Sequence, residues 1–123
     1  MKNPITRRMI LLIAAVLALR NRHEATHDLL TGLPNRREFD EQAGISVDAA
    51  RRRGETLVLI QIDLDGFKAI NDRLGHAEGD NALRMIARTL EGMIGKGNVI
   101  ARAGGEEFYA LFTDGSMAEA KQI

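Results

Sequence analysis

Apolar residues gather first into one continuous run. Met9 to Leu19, MILLIAAVLAL, holds 11 unbroken apolar residues between Arg7–Arg8 and Arg20. A segment apolar all round predicts a helix that is buried or set in a membrane rather than laid on an open surface. The helix is expected from about Thr6 into the His23–His27 region. A full membrane span needs about 20 such residues, so this run is too short for one. A basic flank before a short apolar run also resembles a signal peptide, although no small-x-small cleavage site followed by a mature domain is evident. Three readings stay open: a partial membrane anchor, a helix that packs on a partner helix, or a signal segment.

Shorter periods follow. In DLLTGLPNRREF, Asp28 to Phe39, Gly32 and Pro34 break any helix. Asn35 followed by Glu38 predicts an N-cap that Glu38 could close into a capping box. The helix after it should run to about Arg53, with Phe39, Ala43, Val47 and Ala50 on one face, and stop at Gly54. TLVLIQIDLD, Thr56 to Asp65, reads as a strand covered on both faces at its start. Its later alternation puts Gln61, Asp63 and Asp65 on one side. Gly66 marks the exit, and a short helix, Phe67 to Leu74, stops at Gly75. After the Gly79–Asp80 step a longer helix is expected from about Asn81 to Ile94. Leu83, Ile86, Leu90 and Met93 would face inward, and Arg84, Arg88 and Glu91 outward. Gly95 to Asn98 is a turn. Val99–Ala103 and Glu106–Phe112 are then strands joined by Gly104–Gly105, a good hairpin signal. Thr113 to Ser116 reads as a turn and a last helix as beginning near Met117. The predicted class is α+β, with helices packed on a mostly antiparallel sheet.

Composition narrows the function. The chain has 123 residues, enough for one domain after the apolar helix. Lys+Arg and Asp+Glu both number 17, so nothing global points to nucleic acid or to an anionic surface. Aromatic residues make up 4% with no Trp, which argues against base-stacking platforms. The absence of cysteine excludes disulfides, thiol catalysis and zinc–thiolate sites.

The chemistry gathers at strand ends. Asp63 stands at the end of the first strand, and Glu106 and Glu107 at the hairpin tip. If the hairpin pairs beside that strand, a carboxylate from each converges at one sheet end. Carboxylates plus a backbone carbonyl are the hard oxygen ligands that Mg²⁺ takes, with waters and phosphates completing the shell. Gly104 and Gly105 lack side chains, so a triphosphate or ribose can approach closely. Taken alone, such a hairpin is more often an ordinary solvated turn. Lys68 can reach phosphate oxygens as a point charge. Asn71 and Asp80 bracket a loop with Gly75, His76 and Gly79. A carboxylate facing the N1–H and 2-amino donors would select guanine over adenine. By itself Asp80 reads better as an N-cap for the helix after it, and His76 as a turn histidine.

Together and in order, DLLTGLPNRREF, IDLDGFKAINDRLGHAEGD and ARAGGEEF resemble the signatures of the GGDEF family of diguanylate cyclase domains. The name-giving motif reads here Gly104-Gly105-Glu106-Glu107-Phe108. The resemblance covers about Asp28 to Phe112. It implies a fold related to nucleotide cyclase catalytic domains and polymerase palms, with residues 1–27 as an apolar N-terminal helix and 28–123 as the N-terminal portion of the domain. It implies condensation of two GTP into cyclic di-GMP with release of two pyrophosphates, in bacterial second-messenger signalling. Each subunit of an antiparallel homodimer would hold one GTP. By motif, Asp63, the main-chain carbonyl of Leu64 and Glu106 would bind two Mg²⁺ ions per active site. Glu106 would also accept the 3′-hydroxyl proton, and Lys68 would support the phosphates. Asn71 and Asp80 would read guanine, with His76 in the same pocket and Gly104 and Gly105 beside the nucleotide. The catalytic part would be cytoplasmic, and attached to the inner membrane if residues 9–19 serve as an anchor.

Two departures accompany the resemblance. At the spacing of the family's Arg-x-x-Asp product-inhibition site stand Gly95 and Asn98. The family's domain also continues past Ile123 with the rest of a helix, a core strand and a basic phosphate-clamping helix. The alternative reading is therefore a non-catalytic GTP-binding or dimerisation module.

Overall fold

The computed structural model describes residues 4–95 and 97–113. The expected turn at 114–116 and the last helix near Met117 lie outside these residues. Seven elements follow in order: α1 (Pro4–Thr26), α2 (Arg36–Arg53), β1 (Leu57–Asp63), α3 (Phe67–Leu74), α4 (His76–Met93), β2 (Val99–Arg102) and β3 (Glu107–Thr113).

The sheet is antiparallel throughout, in the order β1-β3-β2. β3 lies in the middle because it pairs on both sides, with Asp63 opposite Glu107 on β1 and Arg102 opposite Phe108 on β2. Strand alternation then sorts the side chains between two layers. Phe108, buried on β3, packs with Leu33 and with Leu83, Ala87 and Leu90 of α4. Ile62 of β1 and Ile100 of β2 join this cluster. On the opposite face, Val99, Ala101 and Leu111 pack against Phe39 of α2. The sheet is thus a middle layer with α2 on one side and α4 on the other, the α+β sandwich that the hydrophobic pattern predicts.

Several local expectations need correction. α2 begins where predicted, with the Asn35 side chain accepting a hydrogen bond from the Glu38 N–H at 2.9 Å. The capping box does not close, because the Asn35 N–H donates instead to the Thr26 carbonyl at 2.9 Å. Val47 is exposed, since α2 lies over β2 and the middle of the sheet and turns that flank outward. β1 is not covered on both faces at its start: Leu59 is 58% exposed, on the α2 side of the sheet where α2 does not reach. α4 starts five residues earlier than its predicted Asn81. Gly75, at φ 89°, makes a left-handed break that allows α3 and α4 to follow one another directly.

α1 carries its apolar residues in the open. Met9, Leu12, Ile13, Val16, Leu17 and Leu19 are all exposed and lie around the helix rather than along one stripe. Among the described residues, no helix is long and apolar enough to cross a membrane.

A candidate active site at the hairpin tip

The first wall of the site comes from α3 and the start of α4. The chain leaves β1 through Gly66, which takes a positive φ of 75° as it caps α3. Over the next turn it presents Phe67, Lys68 and Asn71. Asp80 lies in the second turn of α4, not at its N-cap, so the expectation that it caps a helix fails. Gly79 is buried, and the Asn71 side chain occupies the space a Cβ there would need: Asn71 Oδ1 lies 1.8 Å from the ideal Cβ position. The glycine thus lets α3 lay its asparagine against α4. Asn71 Oδ1 is buried and finds no hydrogen-bond partner among the described residues.

The second wall is the hairpin. Its connection is longer than the Gly104–Gly105 pair predicts. β2 ends at Arg102 and β3 begins at Glu107, so Glu106 belongs to the tip. The tip closes through Ala103 and Gly104 N–H groups donating to the Glu107 carbonyl at 2.8 and 3.4 Å. Neither Gly104 nor Gly105 has a positive φ. A Cβ on Gly105 would meet nothing within 4 Å, and one on Gly104 only the Glu107 side chain at ordinary contact distances. Neither the backbone nor the packing of the chain calls for glycine at the tip.

Between the walls lies a cleft of about 560 Å³, lined by Phe67, Lys68, Asn71, Asp80, Leu83, Arg102, Gly104, Gly105, Glu106 and Glu107. Residues drawn from three separate stretches of sequence therefore meet in one place. Asp63 and His76 are exposed and do not line it. Leu64 is joined to the site through its backbone: its N–H donates to the Glu106 carbonyl at 3.2 Å. The residue directly across the ladder from Asp63 is Glu107 rather than Glu106. Among the described residues, no three acidic or histidine side chains gather closely enough to hold a metal ion by themselves. Mg²⁺ does not require such a cage, since it keeps several waters and leans on one or two carboxylates plus substrate phosphates. The oxygen donors at this sheet end, Asp63, Glu106 and the Leu64 carbonyl, are of the kind it takes.

Residues 25–123 match the family model described as the diguanylate cyclase GGDEF domain. The chain belongs to this family. Diguanylate cyclase TpbB of Pseudomonas aeruginosa is 43% identical over 102 residues, which are 82% of this chain and 23% of that protein. The solved GGDEF domain of the same TpbB matches with a TM-score of 0.73 and 42% identity, covering 78% of this chain and 56% of that one. A structure of the coiled coil and GGDEF domain of DgcB from Caulobacter crescentus, in complex with c-di-GMP, matches with a TM-score of 0.76 and 29% identity. It covers 98% of this chain and 68% of that one. The chain spans less than a quarter of the length of TpbB.

The GGDEF hairpin has a further component that the sequence reading passed over. Arg102 donates from Nε to the Gly104 carbonyl at 3.2 Å and from Nη2 to the Gly105 carbonyl at 2.7 Å. Its Nη1 donates to both carboxylate oxygens of Asp28, at 3.0 and 3.1 Å. The Asp28 carboxylate also accepts from the Thr31 N–H at 2.8 Å and the Thr31 hydroxyl at 2.7 Å. Burial pushes the Asp28 carboxyl up, but the Thr31 and Arg102 donors outweigh it and hold the group below its ordinary value. The available signals were an Asp-x-x-Thr turn pattern after the first helix and an arginine closing an otherwise apolar strand.

Proposed function

We propose that this GGDEF domain is a diguanylate cyclase that joins two GTP molecules into cyclic di-GMP and releases two pyrophosphates. The observation that carries the reading is the single cleft lined by Lys68, Asn71, Asp80, Gly104, Gly105 and Glu106. An ammonium, a base-reading pair, a side-chain-free tip and a carboxylate are the parts a nucleotide triphosphate needs, in the order phosphate, base, sugar and reacting oxygen.

The cleft is sized for one small ligand. Each chain of a homodimer would bind one GTP and offer its α-phosphorus to the 3′-oxygen held by the other. As the new 3′-oxygen–phosphorus bond forms, the bond from the α-phosphorus to the oxygen bridging it to the β-phosphate breaks, and pyrophosphate leaves. Glu106 takes the proton from the 3′-hydroxyl. Lys68 holds phosphate oxygens and opposes the charge that builds on them. Asp80 accepts hydrogen bonds from the N1–H and 2-amino group of guanine. The Asn71 amide, whose Oδ1 is unpaired, gains a partner when it turns to the same edge. Asp63, the Leu64 carbonyl and Glu106 are the groups that would hold Mg²⁺, two ions per site. When bound, such ions neutralise phosphate charge and make the attacking hydroxyl more acidic. Glu107, opposite Asp63, is placed to share that load. His76 lies outside the cleft and is assigned only to the rim.

The apolar collar of α1 is the segment through which the domain would meet a membrane or a second copy of itself, leaving the catalytic part in the cytoplasm. A second reading, a GTP-binding module without turnover, is favoured by one observation: Asp63 does not line the cleft. Incubation with GTP and Mg²⁺, followed by chromatography for cyclic di-GMP, separates the two. Product and pyrophosphate in a 1:2 ratio support the cyclase, and GTP binding without product supports the module.

A further inference from the structure

We propose that Arg102 is a positioning residue that sets the Gly104–Glu106 tip from the end of α1, so that the pose of Glu106 depends on the Asp28 carboxylate. The consequence for catalysis rests on the cyclase reading, but the coupling itself is geometric. A guanidinium presents five donors in a rigid fork, and here its three nitrogens are all engaged. Nε and Nη2 hold the two peptide carbonyls just before Glu106, and Nη1 holds Asp28. The Arg102 and Asp28 side chains are only 15% and 21% exposed, so this pair is far less screened than a surface ion pair.

Asp28 in turn is not free to follow the tip. Its carboxylate is fixed by Thr31, its N–H donates to the Leu33 carbonyl at 2.7 Å, and Leu33 is core. The turn it belongs to is tied back to α1. The Asn35 amide donates to the Ala25 carbonyl at 2.9 Å, and the Asn35 N–H to Thr26. The Arg102 N–H donates to the Pro34 carbonyl at 3.0 Å, which locks the same turn to the end of β2. A continuous brace therefore runs from the last turn of α1 through residues 28–35 to the tip. On its far side, among the described residues, Glu106 is held through its carbonyl by the Leu64 N–H. A displacement of the α1 end thus reaches the tip by two links, the Arg102 side chain to the Gly104 and Gly105 carbonyls and the Arg102 N–H to Pro34 at the end of β2.

The test compares the full chain with Asp28→Asn, Arg102→Ala and Arg102→Lys by hydrogen exchange. Amides of the tip, 103–107, are expected to exchange about tenfold faster in all three, the loss of roughly one charge-assisted hydrogen bond. The central β3 amides, Tyr109 to Leu111, keep their protection. Lysine is expected not to rescue, because it keeps the charge without the fork. In a second readout, the Mg²⁺ concentration for half-maximal GTP binding rises about tenfold in Asp28→Asn, while affinity for guanosine, which lacks phosphates, is unchanged. Loosening of residues 28–33 in Asp28→Asn with wild-type exchange at the tip would overturn the coupling. If the unaltered chain binds no GTP at all, the cyclase reading falls and the exchange comparison alone decides the coupling.

Discussion

Replacing Gly79 by alanine tests the base-reading wall with little risk to the fold. The new Cβ would stand 1.8 Å from Asn71 Oδ1, 2.9 Å from its Cγ and 3.4 Å from Phe67 Cζ. Only the last is a tolerable contact, so the asparagine must leave. It can do so by rotating about its side-chain torsions, at a cost of about 0.5–1.5 kcal/mol if it settles off its preferred rotamer. Alanine in a helix interior is favoured over glycine by about 0.8–1.0 kcal/mol. The two terms nearly cancel, so thermal stability is expected to move by no more than a few degrees. Recognition has no such compensation. Losing one hydrogen bond to the base is worth about 1 kcal/mol, and leaving a site's polar groups unpaired can cost far more. The ratio of GTP to ATP affinity, measured by equilibrium binding with Mg²⁺ present, is therefore expected to fall at least about fivefold, the equivalent of that 1 kcal/mol. A variant that melts like the wild type and keeps the wild-type ratio would refute the assignment of Asn71. A variant that fails to fold would show that Asn71 cannot move, contrary to the packing described.

Other outcomes follow from the same geometry. Gly105→Ala meets nothing within 4 Å, so its melting temperature should match wild type while GTP affinity drops, as calorimetry would show. Equal affinity would mean the tip's glycines make no room for a ligand. Glu106→Gln should keep the circular dichroism spectrum and lose cyclic di-GMP formation, and retained Mg²⁺-dependent turnover would remove Glu106 from the mechanism. The Asp28 carboxyl is held below its ordinary value, so the fold favours its ionised form. Its stabilising contribution is full above the unfolded-state value of about 3.9 and is lost as pH falls through the folded one. Acid unfolding below about pH 4 should therefore be blunted in Asp28→Asn, with the difference between the two proteins constant from pH 5 to 8. Titrated cyclic di-GMP should not bind tightly at the 95–98 loop. Gly95 offers no side chain there, and the Asn98 side chain already accepts from the Thr113 N–H at 3.1 Å.

Much of the fold was legible because periodicity reports burial. The alternation from Ile60 to Asp63 and the inward stripe of Leu83 and Leu90 each reappear as a packed face. The boundaries that failed have identifiable causes. Gly79 looks like a helix breaker in sequence, yet it sits inside α4 because a partner side chain needs its missing Cβ. Leu57 to Ile60 looks doubly buried, but hydrophobicity alone cannot tell whether a helix reaches over a given strand. Within the site, Lys68, Asn71, Asp80, Gly104, Gly105 and Glu106 were named from the sequence because motif chemistry is written in residue types. Arg102 and Asp28 were missed because their contact joins positions far apart in the chain. No local pattern shows which carboxylate an arginine will find.

The order in which the sheet is assembled has a consequence for how this site comes into being. One wall, residues 67–80, lies in a stretch whose helices form locally. The other arrives only when β3 returns to lie beside β1, bringing Glu107 opposite Asp63. Closing that long excursion costs loop entropy that must be paid before the strand pairing rewards it. Occupancy of the cleft therefore reports on the closure itself. A nascent chain still lacking β3 has no second wall, and a ligand bridging both walls stabilises the closed chain by RT ln(1 + [L]/Kd). The concentration of a ligand that fits this cleft thus becomes one of the variables that decide how much of the chain is folded.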